Sequence, residues 1–221
     1  GSIMAGMAKR STLDTKDYKI LKEVAESNKF SLQELISVYG LESDYGKNMG
    51  AKDAKYKGHF QFDDATAKEY GLKDPFDLKQ SAQAHIDLVN KRKSQVAHYL
   101  SKYGGNWEGF GNMSNSTFNY LLHNQGAWGT ARMSIGKTKD AYLGMDSEGN
   151  LLTGSKSHRR NMIRNLTPDQ QSYFTNQTKS PGEAIGYFTK SLDQNLEYIR
   201  RDAASQIKMS EMKILDNPLG Y

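Results

Sequence analysis

Apolar residues recur along most of this chain at spacings of three and four, which places them on one face of a helix. The clearest early stripe follows Ser31, which forms with Glu34 the S-x-x-E pattern typical of a helix start. Its members, spaced at i, i+3, i+4 and i+7, are Leu32, Leu35, Ile36 and Tyr39. The pattern therefore predicts a helix over residues 31–45.

The same spacing predicts further helices, separated by polar and glycine-rich segments. Two longer helices cover residues 14–26 and 77–103, and a short apolar helix covers 117–123. The segments between elements are predicted to be loops or turns at 46–58, 106–116, 124–129 and 146–150. A short β-ribbon is the alternative for the first of these segments.

Helix starts can also be predicted from capping residues. Asp63 or Asp64 can cap a short helix that ends at Tyr70. Thr167 and Ser180 each precede a proline, which is favoured at the first position of a helix. The second of these starts leads into an apolar stripe, made of Ile185, Phe188, Leu192, Leu196, Ile199 and Ala203. The predicted fold class is therefore mainly α.

Glu42 stands out because it continues the apolar face of the 31–45 helix, three residues after Tyr39. A carboxyl group in that position is partly desolvated, and desolvation raises its pKa. A carboxylic acid that keeps its proton near neutral pH is what general acid catalysis needs. The spacing alone is equally compatible with a frayed helix end at which Glu42 points into water.

Four short motifs follow one another in a fixed order. They are E-S at 42–43, G-H-F-Q-F at 58–62, T-A at 66–67 and L-H-N-Q-G at 122–126. In order and spacing this set resembles the lysozyme-like superfamily of lytic transglycosylases and goose-type lysozymes. The resemblance covers residues 31–133, a little under half of the chain. It implies a lysozyme-like helical domain with a small loop or β-ribbon region.

The resemblance also implies an activity, namely cleavage of the β-1,4 bond between N-acetylmuramic acid and N-acetylglucosamine in peptidoglycan. Glu42 matches the glutamate that acts as general acid and base. In lytic transglycosylases the C6 hydroxyl of the muramic acid then attacks, and the product is a 1,6-anhydro sugar. No cofactor and no metal are expected.

Other positions match residues that surround this glutamate in the family. Gln61 matches the glutamine that binds sugar, and a surface amide is the alternative. Gly58 matches the glycine that allows close backbone approach at the cleft. Ser43 matches the serine that hydrogen-bonds near the glutamate, although an ordinary serine at a helix end fits the sequence nearly as well.

His123 departs from the family pattern, because a tyrosine is expected before Asn124 in the A-Y-N-A-G motif. Asn124 and Gly126 are kept. A structural histidine is one possibility. We favour a role in the cleft, with a hydrogen bond to Glu42 or to substrate and an imidazole that is largely neutral at the working pH. A charged imidazole would lower the pKa of Glu42.

Asp63 is the second departure, because goose-type lysozymes carry an aspartate after the Q-x pair. Asp53 lies where those lysozymes have an earlier aspartate. Carboxylates facing Glu42 across a gap of roughly 6.5–9.5 Å would suit an inverting hydrolase that activates water. The competing interpretation makes Asp63 the N-cap of the next helix, so hydrolase and transglycosylase both stay open.

Aromatic residues are candidates for stacking on sugar rings, with the hydrophobic core as the alternative for each. The candidates are Trp107, Phe110, Tyr120 and Trp128. Trp107 and Trp128 are favoured for the cleft because glycines surround them.

Composition limits the classes of function. The 221 residues carry a net charge of +5 and no cysteine, so disulfide and thiolate chemistry are excluded. The positive charge is compatible with simple solubility or with attraction to an anionic polymer. No nucleic-acid motif accompanies it, and no apolar run reaches membrane-spanning length. We expect a monomer that binds peptidoglycan glycan strands, with no nucleic acid and no membrane insertion.

The expected domain organisation has three parts. Residues 1–10 form a cloning remnant and flexible N-terminus, 11–135 the lysozyme-like domain, and 136–221 a helical extension packed on it. Because no signal peptide is visible, delivery to the periplasm or cell wall by lysis, by a virion or by a secretion system is expected. A phage endolysin, a virion-borne lysin or a secreted antibacterial effector would fit. A non-catalytic cell-wall-binding or structural module with a lysozyme-like fold is the competing class.

Overall fold

The computed structural model describes residues 10–138 and 162–217, and the described chain is mainly α-helical, as predicted. No strand is present among these residues. The seven α-helices and one 3₁₀ helix are α1 (Thr15–Ser27), α2 (Leu32–Ser43), α3 (Asp64–Glu69), α4 (Leu78–Tyr103), the 3₁₀ helix (Trp107–Phe110), α5 (Asn115–Thr138), α6 (Pro168–Asn176) and α7 (Pro181–Asp216).

The chain divides into two compact units. The first contains the residues up to Leu88 together with those from Glu197 onward, and the second contains Val89–Leu196. The division therefore falls inside α4 and inside α7. The expected boundary near residue 136 lies at a different position, and the three-part domain organisation stays a prediction.

In the first unit, α2 is the most deeply buried element. It begins at Ser31, whose side chain accepts a hydrogen bond from the Glu34 amide at 3.2 Å, as the capping pattern predicted. Every residue from Leu35 to Ser43 is buried, so the helix is enclosed all round rather than along one stripe. Helix α1 packs against it. An enclosed helix of this kind belongs to a core, and it carries Glu42 into that core.

The segment after α2 is a loop, with a single antiparallel bridge between Lys57 and Phe62 in place of a ribbon. The two residues exchange backbone hydrogen bonds of 3.1 Å each. Helix α3 then starts at Asp63, whose carboxylate accepts from the Thr66 amide at 2.7 Å. The N-cap interpretation of Asp63 is therefore confirmed.

In the second unit, a segment predicted as a loop and a segment predicted as a turn both contain helical residues. The glycine-rich segment 106–116 contains the 3₁₀ helix, and the predicted turn at 124–129 is part of α5. Only Gly126 leaves helical geometry there, with φ of 74° and ψ of 175°. The Thr130 hydroxyl donates a hydrogen bond to the carbonyl of Gly126 at 2.7 Å, across the first turn after the kink. The predicted turn is therefore reduced to a kink at Gly126, where two helical segments meet.

The later helices agree with their predicted starts. Thr167 forms a full capping box with Gln170, and the Ser180 hydroxyl accepts from the Glu183 amide at 3.1 Å. All six residues of the predicted stripe on α7 are buried. The turn predicted at 146–150 lies outside the described residues. Among the helices that are described, none is both long and apolar enough to cross a membrane.

Candidate active site

Glu42 lies in the last turn of α2, and only 8% of its surface is exposed. Burial raises the pKa of this carboxyl group above its ordinary value, and the nearby Arg10 guanidinium opposes part of the rise. The predicted inward position is thus confirmed over the solvent-facing alternative. The first unit therefore contains a carboxylic acid that holds its proton to higher pH than an exposed glutamate does.

The segment before α1 is fastened to the end of the Glu42 helix, which the sequence did not indicate. A guanidinium nitrogen of Arg10 donates to the carbonyl of Gly40. The Ser11 amide and hydroxyl donate to the Asp44 carboxylate at 2.8 and 2.6 Å. The side chain of Gln206 also holds this segment, because it accepts a hydrogen bond from the Leu13 amide and donates one to the Ser11 carbonyl. These contacts fix the Arg10 charge near Glu42.

Ser43 is buried beside Glu42 and closes the helix end. Its hydroxyl accepts from the Gly46 amide at 3.0 Å and lies 3.4 Å from the Tyr39 carbonyl. The Ser43 carbonyl accepts from the Asn48 amide at 2.9 Å. These contacts match the interpretation of Ser43 as an ordinary serine at a helix end. They hold the turn that follows Glu42 in the sequence.

Gln61 and Gly58 lie in the bridged loop, and both have positive φ. The Gln61 amide nitrogen donates to the carbonyls of Met49 and Gly58, at 3.0 and 2.9 Å. The Gly58 amide also donates to the Met49 carbonyl. Because the nitrogen of Gln61 is engaged with the loop, its side-chain oxygen is the atom that it can offer to a sugar hydroxyl.

The two candidate aspartates have different surroundings. The Asp63 carboxylate is half-buried and caps α3. Asp53 is exposed in the loop before the bridge. The cap engages one oxygen of the Asp63 carboxylate with the Thr66 amide, so Asp63 has a structural role at the start of α3.

A buried hydrogen-bonded chain also links α1, α2 and the bridged loop. The Tyr39 hydroxyl lies 2.8 Å from the Asp17 carboxylate and 3.0 Å from Nδ1 of His59, whose Nε2 lies 3.0 Å from the Phe76 carbonyl. Nε2 must donate, since a carbonyl only accepts. Burial lowers the pKa of His59, while the Phe76 carbonyl and the Asp17 charge act to raise it. This series of hydrogen bonds holds the bridged loop against the helix that carries Glu42.

The remaining predicted site residues lie in the second unit. His123 and Asn124 are half-buried on α5, just before the Gly126 kink. Asn124 accepts from the side chains of Gln125 and Asn165, at 2.8 and 3.3 Å. The carbonyl of His123 accepts from Arg92 at 3.3 Å. These residues belong to a different unit from Glu42, and each unit holds part of the predicted set.

The aromatic candidates divide by exposure. Tyr120 is 2% exposed and donates to Asn165 at 2.6 Å, and Phe110 is also buried, so both rings take the core position that the sequence left open. Trp107 is 52% exposed and can present a face to a sugar. Trp128 packs edge-on against Tyr99 with ring centroids 5.0 Å apart, on the helical part of α5 that was predicted as a turn.

No protein-family model matches the chain, and no curated protein matches it. Within residues 10–138 and 162–217, no group of three or more His, Asp or Glu side chains is placed to hold a metal ion.

Gly58 and Gly71 form a matched pair for testing the loop. Both have positive φ, but a Cβ at Gly58 would lie 2.0 Å from the Pro75 carbonyl oxygen, whereas one at Gly71 meets nothing within 4 Å. We expect Gly71→Ala to lower the free energy of unfolding by about 1–2 kcal/mol. Gly58→Ala should cost ~1–3 kcal/mol more, because the backbone must move. Urea denaturation measures the free energy of unfolding of both variants. Equal losses in the two variants would contradict the close packing of Gly58 against Pro75.

The raised pKa of Glu42 predicts a pH-dependent stability difference. The unfolded chain ionises Glu42 at its ordinary pKa, whereas the folded chain holds the proton to higher pH. The stability contributed by Glu42 is therefore complete below the unfolded pKa and is lost as pH rises through the folded pKa. Since glutamine cannot ionise, Tm of the Glu42→Gln variant relative to wild type should rise as the pH increases above the ordinary glutamate pKa of 4.5. A pH-independent difference in calorimetry would contradict the burial effect.

Proposed function

We propose that the chain is a muramidase that cleaves the β-1,4 bond between N-acetylmuramic acid and N-acetylglucosamine, with Glu42 as general acid and base. The observation that carries the proposal is the buried Glu42 carboxyl group, whose pKa is raised by desolvation. Protonating a glycosidic oxygen needs an acid that is still protonated near neutral pH. The motifs around Glu42 supply the class of substrate.

The lytic transglycosylase route uses Glu42 twice. Its carboxyl proton passes to the glycosidic oxygen as the C1–O bond breaks, which releases the N-acetylglucosamine hydroxyl. The resulting carboxylate accepts the proton of the muramic acid C6 hydroxyl as O6 bonds to C1. Glu42 ends protonated again, no water is consumed, and no second carboxylate is required.

The position of Asp63 favours this route over inverting hydrolysis. A hydrolase needs a second carboxylate that takes a proton from water as the water oxygen bonds to C1. One Asp63 oxygen is engaged in capping α3. The C6 hydroxyl, which is part of the reacting sugar, has the high effective concentration of an intramolecular nucleophile. The inverting lysozyme is therefore the second candidate, with Asp63 or Asp53 as its base.

In this proposal the partner is the glycan strand of peptidoglycan, and the place of action is the bacterial cell wall. The net charge of +5 would favour encounter with the anionic wall. Delivery by lysis, by a virion or by secretion belongs to the same proposal.

Glu42→Gln should abolish wall lysis while the fold is kept, because the amide has nearly the same shape and cannot donate the proton. Loss of a general acid typically lowers the rate by about 10²–10⁴-fold. A zymogram on purified cell walls measures the loss of lysis. Glu26→Gln is the control, since Glu26 is exposed on α1. Lysis by the folded Glu42→Gln variant at the wild-type rate would remove Glu42 from the mechanism.

Product analysis separates the two routes. The transglycosylase route gives 1,6-anhydro-muropeptides, which are lighter by one water than the products of hydrolysis. Asp63→Asn should then lose little activity, since asparagine is also a good N-cap. Mass spectrometry of digested sacculi distinguishes the two kinds of product. Mainly reducing-end products, together with a large loss of rate in Asp63→Asn, would favour the hydrolase.

A further inference from the structure

A lysine-rich cavity of about 610 Å³ lies in the first unit, beside the bridged loop. Its apolar lining includes Leu72, Pro75 and Phe76. The volume falls in the range of small-ligand sites. Lys57, which lines the cavity, directly precedes Gly58, so the loop that carries the candidate sugar-binding residues also forms part of the cavity wall.

Four lysines and two aspartates line this cavity, which gives it a formal charge of 4 − 2 = +2. Both aspartates are already engaged. Asp64 pairs with the ammonium of Lys57 at 3.0 Å, and the Asp74 carboxylate accepts from the Phe76 amide at 3.0 Å. Lys57 is itself largely buried, with 14% of its side chain exposed, and it also donates to the Lys52 carbonyl at 2.8 Å.

The other three lysines, Lys52, Lys68 and Lys73, are exposed at the cavity. Within the part of the chain that the structure describes, no hydrogen bond or ion pair engages their ammonium groups. The cavity therefore offers several separate positive charges beside an apolar lining. A ligand that fits has spaced negative charges and small apolar groups.

We propose that this cavity binds the carboxylates of a peptidoglycan stem peptide. The identity of the ligand rests on the proposed function, because the peptide branches from the same sugar that the muramidase would cleave. A stem peptide carries carboxylates a few bonds apart, each matching a single ammonium, and the methyl groups of its alanines suit the apolar lining. No arginine lines the cavity, so the bidentate fork that favours phosphate groups is absent from it.

The test measures binding directly, without catalysis. The probe is N-acetyl-L-alanyl-D-glutamate, which has two carboxylates and no amine, and its diamide is the uncharged control. Binding to the full chain is followed by NMR chemical-shift titration at low ionic strength. We expect the dipeptide to bind in the millimolar range and to shift resonances of the cavity residues. The diamide should show no binding, and added salt should weaken the binding of the dipeptide, because salt screens the charges.

The variant Lys68→Gln/Lys73→Gln should raise the dissociation constant of the dipeptide by about threefold to thirtyfold, because two exposed ion pairs are lost. The variant Lys22→Gln/Lys93→Gln is the matched control. It removes the same charge from exposed helical positions outside the cavity, and it should bind as the wild type does. Unchanged affinity in the cavity variant, or equal weakening in the control, would overturn the proposal.

Tripolyphosphate, used as a second probe, separates the carboxylate site from a general anion site. Tighter binding of tripolyphosphate than of the dipeptide at this cavity would overturn the assignment to a stem peptide. The binding measurements do not depend on whether the protein lyses cell walls. A chain that binds the dipeptide in the cavity but leaves walls intact would refute the muramidase alone, and a lytic chain with no such binding would refute the cavity alone.

Discussion

The cost of ionising a carboxyl group inside a folded core is the constraint on which this structure depends. Glu42 lies where α2 is enclosed on all sides, and burial there raises the pKa of its side chain. A glutamate in such a place lowers stability at high pH, and on a simple structural view leucine would serve better. Its position is explained if the retained proton is used, because a neutral carboxyl group at working pH is the reagent that glycosidic cleavage requires.

The surroundings of Glu42 hold the end of its helix from several directions. Arg10 and Ser11 attach the preceding segment to Gly40 and Asp44, and Ser43 fixes the turn that follows. These contacts set both the position of the carboxyl group and the balance of charges around it, since the Arg10 guanidinium moderates the effect of burial. Burial therefore raises the pKa of Glu42, while the contacts of Arg10, Ser11 and Ser43 hold the helix end that carries it.

Much of the fold followed from local patterns, and much of the site did not. The caps at Ser31, Asp63 and Thr167 and the buried stripe of α7 were predictable, because each depends on residues within one or two helical turns. The predicted turn around Gly126 is present as a sharp kink at that residue, but it is shorter than predicted, because helical geometry resumes directly after Gly126. The bond from Arg10 to Gly40 and the chain from Asp17 to Phe76 join residues far apart in sequence, so no spacing rule could indicate them.

The protonation of Glu42 itself tests the account most directly. In protein labelled with ¹³C at the glutamate carboxyl carbons, the Glu42 resonance can be assigned by its loss in Glu42→Gln, with exposed Glu26 as the internal reference. We expect Glu42 to titrate clearly above the ordinary glutamate pKa of 4.5, because burial raises its pKa. A Glu42 midpoint at or below 4.5 would contradict the central claim, because the carboxyl group would then be ionised near neutral pH and could not protonate a leaving group.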